Sequence, residues 1–185
     1  MPVFYTGIGR VNAEKAVREY LKNHTPGLLL TCGFAGGLEP GLSIGDVIFE
    51  VSPVAPGMQE KLVAAGAKPA KIFCADRIAS TAVEKKKLRE QTSADAAEME
   101  SGAVQAVCRE LSIPCATVRV ISDAANEDLP VDFNDYLKPD KTVDMARLFF
   151  TAAMSPKKMA GLMELQKKTK LAAERLGEVL VKIIE

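Results

Sequence analysis

Short apolar runs alternate along the chain with segments whose apolar residues recur at helical spacing, and this alternation predicts interleaved strands and helices. The clearest unit extends from residue 94 to residue 125. It begins with a short strand and continues into a helix, whose apolar face is formed by Val104, Val107, Cys108 and Leu111. Pro114 then separates this helix from an apolar run, residues 115–121, that predicts a second strand.

Acidic residues lie where both of these strands should end. Glu98 and Glu100 flank Met99 at the end of the first strand, and Asp123 follows the second. If the two strands are parallel, the three carboxylates meet at one edge of the sheet. Ligands bind at that edge in open parallel sheets, so the pattern predicts a site there.

The rest of the chain continues the same alternation. Further strands are expected at residues 3–6, 27–31, 47–51 and 71–74, and further helices at 12–23, 57–65, 81–91, 142–153 and 156–184. Asn12 is the expected N-cap of the first helix, and Thr81 with Glu84 forms a capping box. The loop 126–140 is expected to form a surface flap near Asp123. This order of elements predicts a mostly parallel sheet covered by helices on both faces.

Composition and charge indicate which kind of partner and which cellular compartment to expect. The chain has 185 residues, enough for one domain with a substantial core, and its 24 basic residues balance 24 acidic ones. We therefore expect a small-molecule partner and no nucleic acid. The four cysteines lack C-x-x-C spacing and lie in apolar segments, as buried thiols do in a reducing compartment. With no signal peptide and no apolar run of about 18 residues, a cytoplasmic protein without a membrane span is expected.

Two glycine-rich segments are candidates for ligand binding. Gly7-Ile8-Gly9 lacks the third glycine of the dinucleotide fingerprint, and residues 33–37 lack the Gly-Lys-Ser/Thr of the Walker motif. One interpretation is that both segments are tight turns that need positive φ. The other is that the backbone N–H groups of residues 33–36 bind an anion or a nucleoside at the switch of the sheet.

These segments together resemble the purine nucleoside and uridine phosphorylase superfamily, which includes the methylthioadenosine/S-adenosylhomocysteine nucleosidases. The likeness covers roughly residues 5–125, and its motifs occur in the family's order. They are Gly7-Ile8-Gly9, residues 31–38 followed by Gly45-Asp46-Val47, Glu98-Met99-Glu100, and Ile121-Ser122-Asp123. The segment 76–81 is similar to short bacterial phosphorylases, some of them associated with hopanoid synthesis.

The resemblance implies a three-layer αβα fold that cleaves the N-glycosidic bond of an adenosine-type purine nucleoside. It makes Asp123 the general acid that protonates or hydrogen-bonds the departing purine at N7, and Glu100 the group that binds the ribose hydroxyls. The full set of residues implied to contact the substrate is Glu98, Met99, Glu100, Arg77, Ile78, Ala35 and Gly36. The chemistry agrees, because breaking a C1′–N bond needs one proton donor and one fixed negative charge near the sugar. A mid-strand arginine, Arg119, needs a carboxylate partner, for which Glu98 is the candidate.

Members of this superfamily usually begin with an additional strand and loop that serve the nucleophile. This chain starts at what resembles their second or third strand, so the expected single domain, residues 1–185, lacks the family's first strand. For the nucleophile side the sequence offers Arg10, the Thr31 hydroxyl and the backbone of Gly33. These groups suit phosphate as a co-substrate, whereas the glycine-rich segment resembles the hydrolytic nucleosidases. The sequence leaves the choice between phosphate and water open.

Two alternatives stand beside the enzyme. The acidic residues and Arg119 are also compatible with a structural ion-pair network near strand ends. The second alternative is a family member that binds a nucleoside, or serves as a scaffold, without turnover. Retention of Asp123, Glu100 and Met99 favours the enzyme, with no cofactor and no metal. The apolar face of the helix 156–184 further predicts a homo-oligomer in which a second subunit covers the site.

Overall fold

A computed structural model describes residues 2–55 and 57–184 of the chain. Within these residues the α-helices are α1 (Arg10–Leu21), α2 (Met58–Ala64), α3 (Ala82–Thr92), α4 (Ser101–Glu110), α5 (Met145–Ala153) and α6 (Pro156–Ile184). The strands are β1 (Leu29–Gly37), β2 (Val47–Val51), β3 (Lys68–Pro69), β4 (Ile72–Cys74), β5 (Ala96–Glu98) and β6 (Cys115–Asp123). A short 3-10 helix covers Phe133–Tyr136. The expectation of one domain over residues 1–185 includes Met1, Pro56 and Glu185, which lie outside the described residues, and it stays a prediction.

The strands form one mixed sheet in the order β3-β2-β6-β1-β5-β4. Three neighbouring pairs are parallel, namely β1 with β6, β2 with β3, and β4 with β5. The other two are antiparallel, because β5 runs against β1 and β2 runs against β6. The predicted α/β class with a mostly parallel sheet is confirmed. The condition under which the three carboxylates were expected to meet does not hold, because β5 and β6 run in opposite directions.

Helices cover both faces of the sheet, which gives the three layers. On one face α1 and α4 pack together over β1 and β6 through apolar residues that include Val17 and Val104. On the other face α2 and α6 cover β2 and β6 through residues that include Leu62 and Val179. Every residue of β6 is buried, as the centre of such a sheet requires. No helix in the described part of the chain combines the length and the apolar character that crossing a bilayer would need.

The first predicted strand, residues 3–6, is absent from the described fold. Val3 is 77% exposed and Tyr5 is 96% exposed, while Phe4 stacks on Tyr20 of α1 with ring centroids 4.6 Å apart. The segment therefore lies against a helix instead of entering the sheet. Asn12 is not an N-cap, since α1 begins after Gly9 and the Asn12 amide donates back to the Ile8 carbonyl at 2.9 Å.

Other local expectations are confirmed or corrected at single residues. The capping box of Thr81 and Glu84 is present at the start of α3. Leu111, expected on the apolar face of α4, is exposed and lies one residue beyond the end of that helix at Glu110. Cys32 is exposed on β1, contrary to the expectation for all four cysteines, whereas Cys74, Cys108 and Cys115 are buried.

Candidate active site

A cavity of about 280 Å³ lies where β1, β5 and β6 meet. Its walls hold all eight residues that the sequence assigned to catalysis or substrate binding: Ala35, Gly36, Arg77, Ile78, Glu98, Met99, Glu100 and Asp123. The strand register explains this meeting although β5 and β6 are not parallel. Gly36 of β1 pairs with Asp123 on one side and with Ala97 on the other, so the two acidic segments flank one residue of β1.

Asp123 is buried at the end of β6, and both of its carboxylate oxygens have donors. Ser122 Oγ donates to Oδ1 at 2.7 Å, and Lys85 Nζ lies 2.6 Å from Oδ2. Gly36 leaves room for this carboxylate, because a Cβ at that position would stand 3.2 Å from Oδ2.

The second glycine-rich segment is therefore not a tight turn. Gly33–Gly37 is part of the extended strand β1, and its glycines permit close approach instead of positive φ. The tight-turn interpretation is wrong for this segment. It is correct for the first segment, where φ is 75° at Gly7 and 87° at Gly9.

Arg119 and Glu98 form the predicted ion pair, with their side chains 2% and 1% exposed. Arg119 Nη2 donates to Glu98 Oε2 at 2.7 Å, while Ser101 Oγ donates to Oε1 at 2.7 Å. The backbone N–H groups of Glu100 and Ser101 donate to the same carboxylate. Burial raises the pKa of Glu98, but Arg119 and Ser101 outweigh it and the pKa is lowered overall. Glu98 is thus an anion that fixes the first turn of α4 and, through it, Glu100.

Glu100 is a half-buried carboxylate whose hydrogen-bond donors, among the described residues, are backbone N–H groups. The N–H of Gly9 donates to Oε1 at 2.7 Å, and the N–H of Met99 is 3.3 Å from Oε2. Each oxygen of a carboxylate accepts two hydrogen bonds, so both retain capacity for a ligand. Burial raises the pKa of Glu100, and the Gly9 bond offsets this only in part. The first glycine turn therefore contributes its backbone to the site.

Three residues predicted for the nucleophile side lie outside the described lining of this cavity. Arg10 Nε is 3.2 Å from Asp76 Oδ1, and its Nη2 donates to the Cys74 carbonyl. Thr31 Oγ1 accepts a hydrogen bond from Arg119 Nη2 at 3.0 Å. Gly33 lies over the Arg119 guanidinium, since a Cβ there would be 4.0 Å from its Cζ. Arg10 nevertheless directly follows Gly9, whose N–H donates to Glu100, so the role of these three residues stays a prediction.

The wall formed by Arg77 and Ile78 is held by the flap that follows Asp123. Ile78 N–H donates to Asn134 Oδ1 at 3.0 Å, and Asn134 Nδ2 donates to the Ile78 carbonyl at 2.8 Å. Ser80 Oγ donates to Asp132 at 2.8 Å in the same region. The predicted flap near Asp123 is confirmed, and these contacts tie it to the cavity wall.

Lys85 and Asn134 are two site residues that the sequence did not reveal. Lys85 is one of three consecutive lysines, yet it is 1% exposed while Lys86 and Lys87 are exposed. Its partners, Asp123 and the carbonyls of Ala124 and Glu127, lie some forty residues away in the chain. No local pattern distinguishes it from its neighbours.

A larger cavity of about 790 Å³ lies at the other end of β6, near Cys115. Among the described residues that line it, Glu50 is the only acidic one. Paired carboxylates occur instead in the smaller cavity, which is therefore the better candidate for chemistry. Within residues 2–55 and 57–184, no cluster of three or more His, Cys, Asp or Glu side chains could hold a metal ion.

Comparisons with known proteins point to one family. A sequence model of the phosphorylase superfamily matches residues 2–49 and 58–185. The 5'-methylthioadenosine/S-adenosylhomocysteine nucleosidase of Shewanella halifaxensis is 30% identical over 165 residues, which cover 71% of this chain and 72% of that protein. The aminodeoxyfutalosine nucleosidase of Campylobacter jejuni is 29% identical over 164 residues, with 72% of each chain covered.

The fold has solved counterparts as well. The crystal structure of the 5'-methylthioadenosine/S-adenosylhomocysteine nucleosidase of Neisseria meningitidis, in complex with methylthio-immucillin-A, is 21% identical with a TM-score of 0.68. The match covers 97% of this chain and 78% of that chain. At this level of identity the likeness establishes the shared fold.

Proposed function

This chain belongs to the phosphorylase superfamily, and we propose that it cleaves the N-glycosidic bond of an adenosine-type purine nucleoside, such as methylthioadenosine or S-adenosylhomocysteine. The observation that carries the proposal is the pairing of two differently held carboxylates in one cavity. Asp123 is bound by a buried lysine, whereas Glu100 is bound by backbone N–H groups. Two such groups suit one role on the leaving base and one on the sugar.

In this proposal Asp123 faces the departing purine at N7 and takes part in delivering a proton to it. Glu100 accepts hydrogen bonds from the ribose hydroxyls and places negative charge near the sugar as it becomes oxocarbenium-like. Met99, which is 7% exposed, packs against the ribose. The Glu98 and Arg119 pair positions Glu100 through the first turn of α4 and needs no contact with the substrate.

We propose water as the nucleophile. Arg10, the cation expected to hold phosphate, is already engaged by Asp76 and the Cys74 carbonyl. The relatives named above are nucleosidases, which agrees with hydrolysis. If phosphate is the nucleophile instead, the product is a sugar 1-phosphate and Arg10→Ala raises the phosphate requirement markedly.

In this proposal the flap moves as the substrate enters. Ligand pockets usually enclose about 300 to 1,000 Å³, and this cavity has about 280 Å³. Opening the paired hydrogen bonds between Asn134 and Ile78 releases one wall. The flap is then a lid that closes over the bound nucleoside.

The direct test is to incubate the protein with methylthioadenosine, S-adenosylhomocysteine, adenosine and inosine, with and without phosphate, and to measure free base. Asp123→Asn keeps the side-chain shape and should lose roughly 10²-fold in turnover, the scale of general acid catalysis. Asp135→Asn is the matched control, since Asp135 is an exposed aspartate of the same flap. Undiminished base release by Asp123→Asn would contradict its role.

A second variant tests the sugar side. Glu100→Gln should cost on the order of 1.5 to 3 kcal/mol in transition-state binding, as charged hydrogen bonds do. The rate of base release should fall less for deoxynucleosides than for ribonucleosides, because a deoxynucleoside has one fewer hydroxyl to bind Glu100. Nucleoside binding without base release by the wild type would favour the non-catalytic alternative.

A further inference from the structure

Lys85 is a buried lysine whose hydrogen bonds all go to one short segment of the chain. Its side chain is 1% exposed, and its Nζ lies 2.6 Å from Asp123 Oδ2. The same Nζ donates to the carbonyls of Ala124 at 2.7 Å and Glu127 at 2.9 Å. An ammonium group has three N–H donors, so all three are used within residues 123–127.

Burying an ammonium costs several kcal/mol, and only an anion with good geometry compensates for it. The lysine cation and the Asp123 carboxylate therefore stabilise each other in their charged forms. This creates a difficulty for the proposed reaction. A carboxylate that is already ionised has no proton of its own to give to the leaving purine.

We infer that Lys85 is the positioning residue that supplies, through Asp123, the proton taken up by the leaving purine, an inference that rests on the proposed function. As the C1′–N9 bond breaks, its electron pair passes to the purine ring. One proton passes from Lys85 Nζ to the Asp123 carboxylate, and Asp123 passes that proton on to purine N7. The step leaves a neutral purine, the Asp123 carboxylate and a neutral Lys85 amine. The proton released when water adds to C1′ restores the ammonium.

Further charged and polar groups surround the Lys85 and Asp123 pair. On the flap, the Glu127 carboxylate accepts from the N–H of Ala124 and pairs with Lys168 of α6 at 3.1 Å. The cavity lining also contains two further carboxylates, of which Glu98 is paired with Arg119 and Glu100 lies on the proposed sugar side. Ser122 Oγ donates to the second oxygen of Asp123 and keeps the carboxylate oriented while its partner changes charge. Lys85 Nζ and Asp123 Oδ2, 2.6 Å apart, therefore lie close enough for a proton to pass between them.

Lys85→Met tests this inference, because methionine retains most of the side-chain length and removes the proton. Without its cation, the buried Asp123 must bind a proton from solvent, which becomes harder as pH rises. We expect kcat for methylthioadenosine at pH 8 to 9 to fall about 10²-fold, the usual contribution of a general acid. At pH 5 to 6 the loss should be much smaller. Lys86→Met, an exposed lysine on the same helix, should match the wild type at every pH.

Lys85→Arg separates proton supply from charge. Arginine keeps a cation beside Asp123 but does not release its proton in proteins. Its kcat should therefore fall at all pH values while KM stays within about twofold of the wild type. A 4-nitrophenyl riboside provides the second readout, because its leaving group, 4-nitrophenolate, departs as a stable anion and needs no proton. Both Lys85 variants should cleave that glycoside about as fast as the wild type, which also shows that they fold.

The outcomes separate this inference from the proposed function. Wild-type protein that releases no purine from any nucleoside rejects the proposed function and the inference together. If the wild type is active and Lys85→Met has the same pH profile, the inference that Lys85 supplies the proton is rejected while the proposed function stands. Equal losses on nucleoside and nitrophenyl substrates at every pH would assign Lys85 a purely structural role in holding the flap, and would also overturn the inference.

Discussion

Replacing Arg119 by methionine is the sharpest test of how the site is supported. In the native structure all five guanidinium N–H groups have acceptors, on Glu98, Thr31 and Val118. Methionine fills similar space but offers no donor. The variant leaves the Glu98 carboxylate, 1% exposed, without its cation.

The expected cost follows from that burial. Removing one partner of a buried ion pair costs about 3 to 5 kcal/mol, because the remaining charge stays out of water. The hydrogen bonds from Ser101 to Glu98 remain, so we expect about 3 kcal/mol, the lower end of that range. Since domains are stable by only about 5 to 15 kcal/mol, this is a large share of the free energy of unfolding.

The assay is urea unfolding followed by far-ultraviolet circular dichroism, since the chain has no tryptophan. Arg119→Met, Glu98→Gln and the double variant complete a double-mutant cycle. The double variant should be less destabilised than the sum of the two single variants by about 2 kcal/mol, because it buries no unpaired charge. Additive losses, or a cost below about 1 kcal/mol for Arg119→Met, would refute the reasoning.

Three further predictions concern pH, packing and assembly. The pKa of Glu98 lies below its ordinary value of 4.5, so its stabilising contribution is present above that pH and is lost as pH falls through the lower folded value. Glu98→Gln should flatten this acid loss in urea midpoints measured between about pH 5 and pH 3, and an unchanged slope would contradict it. Gly36→Ala should lower kcat about tenfold by displacing Asp123 a few tenths of an ångström, whereas Gly27→Ala, with nothing within 4 Å, should have no effect. Light scattering should find a homo-oligomer, and a monomer with full turnover would contradict the expectation that a second subunit covers the site.

The sequence predicted several parts of the fold and of the site because their signals are local. The strand, helix and strand between residues 94 and 125 follow from periodicity and one proline. The Arg119 and Glu98 pair follows from the cost of leaving a strand-centre charge without a partner. The motifs also identified the superfamily, as the comparisons confirm.

The predictions of a strand at residues 3–6 and of an N-cap at Asn12 were wrong, because each depends on more than local sequence. Apolar alternation near Tyr5 shows only that a strand is possible, and a strand also needs a neighbour with free backbone groups. The Asn12 side chain is a suitable cap by type, but Gly9 adopts a positive φ that starts the helix earlier. Local propensity does not show whether a strand has a neighbour or where the helix begins.

What the sequence alone determined is the order of the elements, the family, and the carboxylates that the chain delivers to the ends of β5 and β6. Only the tertiary structure decided that β5 runs against β1, that Gly36 is small to admit Asp123, and that Lys85 of three adjacent lysines is the buried one. Periodicity reports which face of an element is buried, because neighbouring residues share it. The direction of a strand pair and the partner of a buried charge depend on residues far apart in the chain, so they are settled only when those residues pack together.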